Sequence, residues 1–136
     1  MGTVAKLRYA TALIAFAMFI ASAGSADAAN FAGRWSVGGS VVGGGYVTTI
    51  APVCVLQQVG ARIAGACRGP NNGGAAAGTV SGGVIVWQWR MVALTRLGFS
   101  GIATFRGVLG PGGIVRGQWR LTSHPGYVGN FTMKRV

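Results

Sequence analysis

The stretch Val53 to Arg68, VCVLQQVGARIAGACR, constrains the fold of this chain more than any other. It holds the chain's two cysteines, Cys54 and Cys67, on either side of a Gly60-Ala61 dipeptide. A two-residue turn with Gly first suits a type II′ hairpin, because that position needs a positive φ. Counting outward from the turn, Val59 faces Arg62, Gln58 faces Ile63, Leu56 faces Gly65, and Cys54 faces Cys67. Ladder alternation makes the cysteines a non-hydrogen-bonded pair, with Cα atoms about 4.5 Å apart. That spacing lies at the short end of what a disulfide tolerates. Turn chemistry and cysteine spacing thus fix one register, and a Cys54–Cys67 bridge is expected. Closing it contributes about 3 kcal/mol in the chain-entropy description.

A disulfide calls for an oxidising compartment, and the N-terminus reads as an export leader. Lys6 and Arg8 form a basic start, Ala10 to Ala21 is apolar, and Ala26-Asp27-Ala28 matches a small-residue cleavage pattern. The apolar run is short for a membrane span. Residues 1–28 are therefore read as a signal peptide and 29–136 as a single domain, secreted or periplasmic, with no transmembrane span in the mature chain. Asp27 is the only acidic residue in the sequence and departs with the leader. The mature chain then keeps ten Lys/Arg, one His and no carboxylate side chain. Its cations must remain in water, meet carbonyls or aromatic faces, or find an external anion. Carboxylate acid/base pairs and Ser-His-Asp chemistry are excluded.

Downstream of the leader no helical period appears. Short alternating apolar runs are divided by glycines, the pattern of an all-β meander. Strands are expected at 33–42, 46–59, 62–68, 77–81, 84–91, 99–109, 114–121 and 127–135. Pro52 should mark a bulge or an edge break in the second, since it cannot donate to a ladder. The segment Gly69 to Ala76, GPNNGGAA, has no packing residues and reads as the most mobile loop. Gly82-Gly83 makes a second tight hairpin. An odd-length loop around Gly110-Pro111-Gly112 sets Ala103 opposite Trp119, Phe105 opposite Gly117 and Arg106 opposite Arg116. A five-residue loop, Thr122 to Gly126, then sets Trp119 opposite Gly129, Gly117 opposite Phe131 and Val115 opposite Met133. Phe99, Ala103, Phe105 and Leu109 face inward. Thr104, Arg106, Arg116, Gln118, Arg120, Asn130, Thr132 and Lys134 face outward. Bulky side chains opposite glycines fill a narrow curved interior. The fold expected is an all-β, eight-stranded antiparallel up-and-down barrel, which removes exposed sheet edges.

Gly33-Arg34-Trp35 on the first strand, with the G-x-F-x-M-x-R run from Gly129 to Arg135 on the last, resembles the calycin superfamily. That group includes lipocalins, avidins and small bacterial protease inhibitors. The resemblance implies a calycin-like barrel in which Trp35 closes one end and Arg135 packs on it. The polar biotin-binding set of avidins is not matched, since Ser36 follows Trp35 with no Asn after it, so no ligand is implied.

Two surfaces are candidates for function. Trp87, Trp89, Trp119 and Tyr127 could line a ligand cavity in a barrel mouth; their alternative use is simply to fill the interior. Arg90, Arg106, Arg116 and Arg120 form an outward cationic band suited to phosphates, sulfates or sugar acids; the alternative is a cationic surface with no dedicated partner. His124, in SHPG, reads as a turn residue. A lone His makes a metal site improbable, and neither a cofactor motif nor a nucleic-acid-binding motif is present. The expected function is an exported, non-catalytic small-ligand or inhibitor-like binding module. The alternative is a cationic adhesion protein held to anionic envelope material, lipid headgroups or polysaccharide, through the outward arginines.

Overall fold

A computed structural model of the chain describes residues 28–136 apart from 44, 45 and 125. The leader assigned to residues 1–28 lies outside the described residues, Ala28 excepted. Alternating apolar and polar residues produce nine strand segments: β1 Gly33–Gly43, β2 Tyr46–Ile50, β3 Val53–Val59, β4 Arg62–Arg68, β5 Asn72–Ser81, β6 Val84–Ala93, β7 Gly101–Leu109, β8 Val115–Leu121 and β9 Val128–Arg135. Consecutive segments from β3 to β9 pair antiparallel, and β9 returns to β1 to close the barrel. β2 and β3 both pair with β1 in one unbroken register, Gly39 opposite Ile50 and Gly33 opposite Leu56. They are one barrel strand interrupted at Ala51-Pro52, so the barrel has eight strands. Pro52 brings no bulge: it cannot donate, but its carbonyl accepts the Val37 N–H at 2.9 Å, and the count of residues stays even.

The β3–β4 hairpin has the register expected from its turn, with Gly60 at φ 60° and Cys54 bonded to Cys67. The cysteine Cα atoms are 4.0 Å apart, and both side chains are buried inside the barrel. Trp35 is the Cα partner of Cys54 on the other side.

The interior is organised by a stack of rings. Trp87, Phe105 and Trp119 are lateral neighbours across β6, β7 and β8. Their planes lie within 7° and 9° of parallel, with centroids 4.0 and 5.5 Å apart. Phe131 meets Phe105 edge-on at 5.2 Å. Such pairs add about 0.5–1.5 kcal/mol each beyond their burial. Gly78 lies opposite Trp87 and Gly129 opposite Trp119, so the ring row ends on bare backbone at both sides. A Cβ on Gly129 would come within 1.6 Å of the Ser40 carbonyl oxygen.

Two expectations are corrected here. The β7–β8 register is displaced by two residues, so that Phe105, not Ala103, faces Trp119, and Arg106 faces Gln118 rather than Arg116. A 3-10 turn at Pro111–Gly113, with Gly112 and Gly113 at φ 74° and 73°, lengthens the connection to five residues. A shift of two preserves which face each side chain occupies, so the outward set and the inward Ala103, Phe105 and Leu109 of β7 survive it. The segment 69–76 is not a loop throughout: β5 begins at Asn72. Its small residues do the packing by staying small, Ala76 beside Trp89 and Gly78 beside Trp87.

The two barrel ends differ. At one, residues 28–32 fold back as a plug. Ala29 N–H donates to Gly82 O at 2.9 Å, Phe31 N–H to Gln58 Oε1 at 2.7 Å, and Trp35 Nε1–H to Phe31 O at 2.9 Å. Arg135 Cζ sits 4.5 Å above the Trp35 ring, and its two Nη groups donate to Ala32 O and Asn30 O at 2.7 and 2.5 Å. At the other end β2 pairs, among the described residues, with β1 alone. The wall is therefore unzipped between β2 and the β4–β5 connection.

Candidate functional site at the open end

Among the described residues, the ends of β1 and β2 and the segments 69–71, 94–100 and 122–127 (apart from 125) surround the open end. Asn71 and Asn72 tie two of them together. Asn71 O accepts the Leu94 N–H at 2.8 Å, its Oδ1 accepts from Thr95 Oγ1 at 2.8 Å, and Asn72 Oδ1 accepts the Phe99 N–H at 2.6 Å. The polar residues that read as a mobile loop are a bracket for the 94–100 segment.

Inside this ring lies a cavity of about 550 Å³. Its apolar wall comes from Ile50 of β2, Met91 of β6, Trp119 and Leu121 of β8, and Phe99 and Tyr127 of the connections, with the exposed Val47 and Leu97 at its lip. Thr48, Thr49, Asn71, Asn72 and His124 supply the polar positions. The Phe99 and His124 rings meet edge to face at 4.9 Å, and His124 meets Tyr127 at 6.4 Å. Trp119 forms part of the base, its Nε1–H given to Ser40 O at 3.2 Å. Gly43 leaves room for the Tyr127 ring, whose Cγ would lie 2.7 Å from a Cβ there. A side recess of about 250 Å³ continues through the unzipped wall, between Thr49 to Pro52 and residues 69–72, and reaches Trp89. Among the described residues, Trp89 Nε1 is buried without a hydrogen-bond partner.

Of the aromatic candidates, Trp119 and Tyr127 line the main cavity and Trp89 the recess. Trp87 lines neither; it belongs to the ring stack, and its Nε1 is likewise without a partner. Four lining residues carry no site signal of their own in the sequence: Phe99, His124, Asn71 and Asn72. The sequence pattern puts Phe99 on an inward strand face, but β7 starts at Gly101, which leaves Phe99 at the mouth. His124 read only as a turn, and Asn71 and Asn72 only as loop. Rings inside short connections, between strands of known facing, were the available signal.

The outward arginines separate into a pair and two outliers. Arg106 and Arg120 flank a shallow groove of about 390 Å³ with Thr104, Gln118, Val86 and Val128. Arg120 faces Thr104 across the β7–β8 ladder, and Arg106 lies diagonal to it. Arg116 faces Val108 and Thr132, and Arg90 faces Ile102. Among the described residues no three His, Cys, Asp or Glu side chains gather as metal ligands. A scan against protein-family models and a search of curated proteins find no match to this chain.

Proposed function

We propose that this chain is an exported, non-catalytic module that binds a small, mainly apolar ligand in the open end of its barrel. The observation that carries the reading is the aromatic-walled cavity at the end that, among the described residues, carries no plug. Its volume falls in the range of small-molecule sites, about 300–1,000 Å³, and its few convergent polar groups fit that pattern. The leader pattern and the disulfide support export. The lack of any carboxylate from residue 28 onward supports binding rather than acid/base catalysis. The resemblance to calycins, strengthened by Arg135 lying over Trp35 as that pattern implies, supports a ligand-carrier or inhibitor-like role.

A second reading has its own observation. The Arg106–Gln118–Arg120 groove offers two guanidinium forks with, among the described residues, no acidic side chain to neutralise them, which favours anionic envelope material. Titration of an apolar dye that quenches Trp fluorescence tests the first reading. Saturable quenching insensitive to salt supports it. Absence of quenching, with retention on an anionic resin that collapses as salt rises, favours the second.

A further inference from the structure

Apolar side chains exposed on this barrel are unevenly placed. Of the ten large hydrophobics exposed among the described residues, Val42, Val47, Val92, Leu94, Leu97 and Val128 stand at the open end. Val42 is the lateral partner of both Val47 and Val128, so these three form one continuous outward row on the rim. At the same mouth Leu97 projects from the 94–100 segment with 83% of its surface in solvent. That segment is held by Asn71, Asn72 and Ser100, so the exposure belongs to a fixed tip. Arg96 is interleaved between Leu94 and Leu97, and Arg120 adjoins Val128 on the rim row.

We infer that the open rim docks on an anionic lipid bilayer, with Leu97, Leu94 and the Val42–Val47–Val128 row entering the interface and Arg96 and Arg120 meeting headgroup phosphates. Charge complementarity selects this occupant: every charged side chain among the described residues is a cation. Apolar insertion combined with basic residues is the chemistry of proteins that lie on anionic membranes. The strand faces turned outward carry Arg106, Arg116, Gln118 and Asn130, where a spanning barrel needs an apolar band, so contact is limited to the rim. Docked this way, the cavity mouth faces the source of an apolar ligand. The inference extends the proposed ligand-binding role but is measured apart from it, by vesicle flotation without dye.

The test compares two leucine- and valine-to-serine changes of equal exposure at opposite ends. Val59, at the β3–β4 turn, is also 83% exposed. The protein should float with vesicles of equal parts phosphatidylcholine and phosphatidylglycerol and not with phosphatidylcholine alone. Leu97→Ser should cut that partitioning about tenfold, the loss of one inserted side chain; Val59→Ser should leave it unchanged. Circular dichroism of both variants checks folding. The inference is overturned if both variants bind as well as the parent, if both lose binding equally, or if Leu97→Ser abolishes a concentration-dependent dimer while vesicle binding persists.

Discussion

Arg135 lies 4.5 Å over the Trp35 ring while its guanidinium caps two carbonyls of the N-terminal plug, Ala32 O and Asn30 O. One side chain thus ties the last strand, the first strand and the segment that seals the barrel end. Arg135→Ala should lower stability by about 1–2 kcal/mol, from the cation–π contact and the charge-assisted bonds together. Arg135→Lys should recover less than half, since it lacks the planar fork. Thermal unfolding of the three proteins checks this.

The Cys54–Cys67 bridge closes a hairpin whose register the turn already sets. The double variant Cys54→Ala/Cys67→Ala is expected to keep the barrel and lose about 3 kcal/mol. Urea unfolding of this variant, beside oxidised and reduced parent protein, measures the loss. A reduced parent as stable as the oxidised one would contradict the prediction.

Gly117 and Gly38 both lie on extended strands, yet their surroundings differ. A Cβ on Gly117 would lie 1.9 Å from the Arg106 carbonyl oxygen, whereas among the described residues, chain neighbours aside, nothing lies within 4 Å of one on Gly38. Gly117→Ala must push β7 and β8 apart next to the ring stack and should cost about 3 kcal/mol or more. Gly38→Ala should stay within about 0.5 kcal/mol of the parent. Denaturant midpoints decide the comparison.

Local rules made the hairpins and the two faces of each strand readable. Gly60-Ala61 and Gly82-Gly83 each admit one turn, and side-chain period then sorts Trp87 inward from Gln88 outward without further information. The β7–β8 displacement was not readable, because Gly110 to Ile114 can turn over three or five residues with the same facing. Only the ring stack, a tertiary contact between Trp87, Phe105 and Trp119, distinguishes them. The open end was the least legible part. Asn71 and Asn72 look like loop residues by composition, and their role as a bracket depends on the distant Leu94, Thr95 and Phe99.

Among the described residues Arg106 and Arg120 have no acidic neighbour to pair with, so Arg106→Ser/Arg120→Ser should leave unfolding within about 0.5 kcal/mol of the parent. Elution of this variant from an anionic resin should move to lower salt by more than that of Arg90→Ser/Arg116→Ser. The groove holds the first pair together on adjacent strands, whereas Arg90 and Arg116 stand on β6 and β8, with β7 between them. Equal shifts for the two variants would show that only net charge matters.

Binding at the mouth is read most directly by nuclear magnetic resonance, following amide and ring signals as an apolar fluorophore is added. The account predicts shifts concentrated at Phe99, Trp119, His124 and Tyr127, with the signals of Arg106, Gln118 and Arg120 unmoved. Shifts confined to the Arg106–Gln118–Arg120 groove, or none at the mouth under saturating fluorophore, would contradict it.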